Sequence, residues 1–207
     1  MKIKNIMTYM ILLFCVSSYA QNDDLQQRFQ NELKLKNEQV TSIKCDFTQS
    51  RMVSVLADIT EKDGEFYFQK PNNMLLDFSD GDFIKMTEDW FEMKNGENIT
   101  ATKVASNPML KNLNSILSAC VVGDFDKMTK GFSIEFDENP QEWTVILKPQ
   151  HGKAAAKVSR IEISFDKADM SLNLLKMEEK SGDYTAYLFA NKQFNLDIDS
   201  ELFNISK

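Results

Sequence analysis

Asp63-Gly64-Glu65-Phe66-Tyr67-Phe68-Gln69-Lys70-Pro71-Asn72-Asn73-Met74-Leu75-Leu76-Asp77-Phe78-Ser79-Asp80-Gly81 is the stretch that decides the fold. Phe66 and Phe68 alternate with Glu65, Tyr67 and Gln69, the two-residue period of a strand that buries one face. Asp63-Gly64 reads as the turn into this strand, and Pro71, which cannot donate to a ladder, as its end. Met74, Leu76 and Phe78 then share one side of a second strand, and Asp80-Gly81 turns the chain again. The short connection makes the pair antiparallel.

The same period extends in both directions. Upstream, Ile43, Cys45 and Phe47 alternate with Lys44, Asp46 and Thr48; before them Leu25, Phe29 and Leu33 recur every four residues behind Asp23 and Asp24, the stripe of an amphipathic helix. Downstream, Ile84 and Met86 lead to Trp90-Phe91, and Asn95-Gly96 turns into a strand from Asn98 to Val104. Asn107-Pro108 supplies a cap and a first helical position for a helix carrying Leu110, Leu113, Leu117 and Cys120. Alternation then resumes in Phe132/Ile134/Phe136, Trp143/Val145/Leu147, Ile161/Ile163/Phe165, Leu172 to Glu178, and Tyr184/Ala186/Leu188. The pattern predicts a mainly β (α+β) fold. About eleven antiparallel strands form one strongly curved sheet, an incomplete barrel, lidded by two or three helices.

Period two alone allows either a solid core or a cavity inside such a sheet. The first twenty residues read as a secretory signal peptide: Lys2 and Lys4, the apolar run Ile6 to Val16, then Ser18-Tyr19-Ala20. Residues 21–207 are then a single domain, and 8 methionines and 14 phenylalanines remain in it. Thioethers and flat rings make a pliable apolar wall that suits ligands of varied shape. Without Lys2 and Lys4 the balance is 22 basic against 31 acidic residues, a net charge of −9, which repels phosphate backbones and argues against nucleic acid as a partner. Cys45 and Cys120 remain after the leader is lost, in a compartment that permits a disulfide; two buried thiols on apolar stripes fit the residues as well.

Catalytic chemistry finds little support. His151 is the single histidine and falls in a polar loop, so neither a Ser-His-Asp arrangement nor a zinc site has its residues. Asp77, Asp80 and Asp82 surround a turn without calcium-loop spacing. Gly152-Lys153 lacks the flanking glycine and hydroxyl of a phosphate loop. The expectation is a protein that is not an enzyme and needs neither metal nor cofactor.

Phe47-Thr48-Gln49, followed by Gly64-Glu65-Phe66-Tyr67-Phe68-Gln69-Lys70-Pro71, resembles the opening of the LolA family of periplasmic outer-membrane lipoprotein carriers, in its Bacteroidetes-type form. The closing segment Asp197-Ile198-Asp199-Ser200-Glu201-Leu202-Phe203-Asn204-Ile205 also resembles that family's ending. The resemblance implies a periplasmic chaperone that takes acyl chains of lipoproteins released from the inner membrane and delivers them to the outer membrane. Its implied partners are acylated lipoproteins, an inner-membrane lipoprotein-releasing ABC transporter and an outer-membrane acceptor of unspecified identity, with the carrier a monomer. The implied lipid-binding cavity comprises Phe47, Phe66, Phe68, Met74, Leu76, Phe78 and Met86. The implied lid helices carry Phe29, Leu33, Leu110 and Leu113. Lys70 stands where the family commonly has an arginine that latches the lid; an ammonium is a point charge without the guanidinium's planar fork, so the latch is weaker or built differently. Two other roles use this architecture: a periplasmic sensor of mislocalised lipid or lipoprotein, and an accessory carrier in hydrophobic-product biosynthesis.

Overall fold

A computed structural model of the chain describes residues 23–106, 116, 119 and 131–206. Residues 1–20, predicted as a signal peptide, and Leu110, Leu113, Leu117 and Cys120 of the predicted second helix lie outside the described residues. Helix α1 spans residues 23–37. Eleven strands follow: β1 (Ser42–Val53), β2 (Asp58–Gln69), β3 (Asn73–Phe78), β4 (Phe83–Met86), β5 (Trp90–Asn95), β6 (Asn98–Lys103), β7 (Phe132–Glu138), β8 (Glu142–Pro149), β9 (Val158–Asp166), β10 (Leu172–Glu179) and β11 (Tyr184–Phe194). They pair antiparallel in one sheet of order β6-β5-β4-β3-β2-β1-β11-β10-β9-β8-β7, so the sheet ends on β6 and β7 and does not close. Pairing of β1 with β11 joins the two halves of the chain at the centre of the sheet.

The expected turn at Asp63-Gly64 is not there. Gly64 sits inside β2, paired with Phe47 on one side and Phe78 on the other. A Cβ at Gly64 would lie 2.2 Å from the Asp77 carbonyl oxygen and 2.8 Å from the Phe47 ring. The glycine is there for close approach, which also lets the Phe47 and Phe78 rings meet edge to face at 5.0 Å. The actual β1–β2 turn is at Ser54 to Ala57, with Ala57 at φ 49°, in a stretch without glycine or proline. Asp80-Gly81 and Asn95-Gly96 do turn the chain, with both glycines at positive φ.

The inner face carries two separate apolar clusters. Phe29 and Leu33 of α1 are fully buried among Phe136, Trp143, Val145, Ile163 and Phe165 on β7–β9, and Ile116 and Ala119, both helical, complete that core. The Phe29 ring lies 5.1 to 5.6 Å from those of Phe165, Phe136 and Trp143. Trp143 Nε1 donates to Glu32 at 2.9 Å, so the indole is satisfied by the helix that covers it. The second cluster joins Cys45, Phe47, Phe66, Phe68, Met74, Phe78 and Met86 on β1–β4.

A third, small cluster lies on the opposite face. Leu75, whose neighbours Met74 and Leu76 point inward, packs there with Ile198 and Phe203 of the C-terminal tail. Buried Glu92 accepts from the Ser206 amide at 2.8 Å, and Lys85 Nζ donates to the Asn204 carbonyl at 2.6 Å. The tail therefore backs β2–β5 from outside.

Candidate functional site

Between the two inner clusters is a cavity of about 160 Å³. Cross-strand rows build its wall. Met74 faces Met86 and Leu76 faces Ile84 across β3–β4; Phe66 lies between Cys45 and Leu76; Met86 faces Phe91. The opposite wall is Leu172 and Leu175 of β10 with Tyr187 and Phe189 of β11. β5 and β10 stand six strands apart in the sheet, about 29 Å in a flat sheet at 4.8 Å per strand. For Phe91 and Leu175 to line one small cavity, the sheet must curl strongly, as the period-two pattern predicted.

One end of the cavity is polar. Asn37, the last residue of α1, and Asp169, Ser171 and Lys192 line it there. Lys36 Nζ donates to the Ala168 carbonyl at 3.1 Å, and Lys70 Nζ donates to the Asn37 carbonyl at 2.7 Å. The second contact places a cation on a carbonyl at the helix C-terminus, where backbone acceptors lack intrahelical partners. The helix end is thus held from two sides, by the end of β2 and by the β9–β10 connection. Burial lowers the Lys192 pKa, against the opposing pull of Asp169 and Asp166. Burial also pushes the Cys45 thiol up to about 12, so this free cysteine is a neutral apolar wall group at physiological pH. Tyr187 is raised too, chiefly by burial, while its hydroxyl accepts from Gln49 Nε2 at 2.7 Å.

The residues singled out from the sequence are distributed as follows. Phe66, Met74, Leu76 and Met86 line the cavity. Phe47, Phe68 and Phe78 are buried in the same cluster on the same face but do not line the cavity. Phe29 and Leu33 are packed in the β7–β9 core, and of α1 only Asn37 reaches the cavity. Lys70 contacts the end of α1.

Sequence reading missed the β10–β11 wall and the polar end. On β11 it took Tyr184, Ala186 and Leu188 as the inward face; Ala186 is buried, yet Leu188 is 54% exposed and it is Tyr187 and Phe189 that line the cavity. Both alternating sets are apolar, so period two could not choose between them. Asn37 did carry a signal: it continues the four-residue spacing of Leu25, Phe29 and Leu33.

The family model described as outer membrane lipoprotein carrier protein LolA matches residues 38–206. The chain belongs to the LolA family. No curated protein sequence matches the chain. Among solved structures, a putative outer membrane lipoprotein-sorting protein domain from Vibrio parahaemolyticus is similar at 10% identity and TM-score 0.51, over 86% of this chain and 95% of that one. An uncharacterised conserved protein from Thermus thermophilus is similar at 11% identity and TM-score 0.51, over 87% of this chain and 94% of that one. These two likenesses establish a shared fold. Among the described residues of this LolA-family chain, no helix is long and apolar enough to cross a membrane, and no cluster of metal-ligating side chains is found.

Proposed function

We propose that this LolA-family protein is a periplasmic carrier that shelters acyl chains of lipoproteins released from the inner membrane and delivers them to the outer membrane. The observation that carries the proposal is the unfilled apolar wall of Phe66, Met74, Leu76, Met86, Leu175 and Phe189. Moving an acyl chain of ~14 methylenes from a membrane into water is unfavourable by roughly 11 kcal/mol, so a carrier must supply apolar surface throughout transit. A methionine-rich wall fits varied chains loosely, which eases release.

In this reading α1 is the movable cover: when cargo enters, its C-terminal end shifts off Lys70 and the β9–β10 connection while the Asn37 side chain still faces the cavity. Phe47, Phe68 and Phe78, on the same inner face, flank the apolar wall and close its side against water. An inner-membrane lipoprotein-releasing ABC transporter would load the carrier, and an outer-membrane acceptor would unload it.

The test is binding of a fluorescent triacylated lipopeptide to Phe66→Glu and Leu76→Glu. Each substitution puts an unpaired carboxylate on the apolar wall, and binding is expected to fall about a hundredfold, with circular dichroism unchanged. Undiminished binding by both folded variants would remove the cavity from the transport path. Displacement of an apolar dye from the unmodified protein by the same lipopeptide checks that dye and cargo share the space.

A further inference from the structure

The polar end of the cavity is built, and its construction is visible in the strand register. On β11, Tyr187 and Phe189 line the cavity, so an unbroken strand would next turn residues 191 and 193 inward. The register instead slips: Asp46 pairs with Ala190 and Lys44 with Gln193, leaving Asn191 and Lys192 opposite Cys45 alone. Asn191 takes φ 55°, a left-handed conformation asparagine tolerates better than most residues. This bulge reverses the parity of the strand and turns Lys192 into the cavity.

Lys192 Nζ donates to Ser171 Oγ at 2.8 Å and also to Asn173 Oδ1. An ammonium has three donors, so one remains for a ligand. Asn37 faces the same cavity; it is only 7% exposed, and its Nδ2 has no hydrogen-bond partner among the described residues. An unmatched donor buried at the end of an otherwise apolar stripe destabilises the closed protein unless a ligand completes it. Asp169, Asp166 and Glu142 surround the lysine with negative charge. That field opposes a free carboxylate or phosphate head and leaves a neutral acceptor as the better match.

We propose that Asn37 Nδ2 and Lys192 Nζ together recognise the neutral carbonyl oxygen of an ester- or amide-linked acyl chain, whose hydrocarbon lies along the apolar wall. This rests on the carrier reading and adds the chemistry that distinguishes an acylated cargo from a free fatty acid or a plain hydrocarbon. The two attachment chemistries of an acylated polypeptide, glyceryl ester and N-terminal amide, present the same oxygen.

The experiment measures displacement of an apolar dye from the full mature protein by methyl dodecanoate, N-methyldodecanamide, dodecanoate and dodecane, below any micelle-forming concentration. The unmodified protein is expected to bind the ester and the amide about tenfold more tightly than dodecanoate or dodecane, the effect of one or two hydrogen bonds in a dry site. Asn37→Leu is expected to lose that preference and to melt no lower than the unmodified protein, since it replaces an unpartnered donor; Lys192→Met is expected to lose it as well. If dye and all chains bind but the four probes are equivalent, or both variants keep the preference, carbonyl recognition is overturned while the carrier reading stands. If no probe displaces the dye, both fall.

Discussion

Gly64 shows how a single residue sets the shape of the wall. Its missing side chain lets β2 pass within contact of Asp77 and leaves the space filled by the Phe47 ring, which in turn meets Phe78 edge to face. Gly64→Ala forces the backbones of β2 and β3 apart. The expected loss is about 2 kcal/mol, or roughly 4–8 °C in the melting temperature, read by thermal denaturation. An alanine variant that melts with the unmodified protein would mean the strands have slack at this point. The sequence misleads here for a physical reason: Asp-Gly is favourable in a tight turn and equally serves where two backbones crowd, and the dipeptide alone does not say which. The turn actually used, Ser54 to Ala57, is set by long pairing of β1 with β2, from Ser42↔Gln69 to Val53↔Asp58, and by Asp183, which accepts from the Ser54 amide at 2.8 Å. Such long-range pairing leaves no local composition to read.

At the scale of elements, α1 was legible because a four-residue apolar stripe has one physical reading, and the inward faces of β1 and β2 were legible because their opposite faces are largely polar. β11 was illegible in orientation because both its faces are apolar, and the bulge that reaims Lys192 depends on pairing with β1, which lies far away along the chain. What holds α1 to the sheet is likewise non-local. Arg28 grips Glu138 at the end of β7 with two hydrogen bonds of 2.8 and 3.2 Å, and Lys167 contacts the same carboxylate. Lys167 first and Arg28 second hold the Glu138 carboxyl below its usual pKa of 4.5. A carboxylate whose folded pKa is depressed stabilises the fold fully above the unfolded pKa and loses that contribution as pH falls through the folded value. The unmodified protein should therefore melt above Glu138→Gln at pH 7, with the gap closing as pH falls below about 4.5. A gap that stays constant down to about pH 3 would show that the anchoring charge contributes nothing.

For the whole molecule, the proposed carrier role turns on size. A cavity of about 160 Å³ is comparable to the ~150 Å³ apolar void that accepts a benzene-sized ligand, too small for an acyl chain of ~14 methylenes. The apolar wall runs from Phe91 to Leu175, and in the proposed carrier the space a long chain needs comes from an outward shift of the α1 end that keeps Asn37 facing the widened cavity, without rearranging the sheet. Apparent affinity is then the intrinsic affinity reduced by the fraction of molecules already open. Lys70→Met removes the Nζ bond to the Asn37 carbonyl, a contact made only while the helix end is seated. A charge-assisted hydrogen bond of this kind shifts the opening equilibrium roughly tenfold. In stopped-flow mixing with fluorescent lipopeptide, the observed rate should rise with concentration and level off at the opening rate, and Lys70→Met should raise that ceiling several-fold while tightening the apparent affinity. A rate that climbs linearly without a ceiling and ignores Lys70→Met would place the entry route elsewhere, because a chain that enters without waiting for the helix end does not depend on what holds that end down.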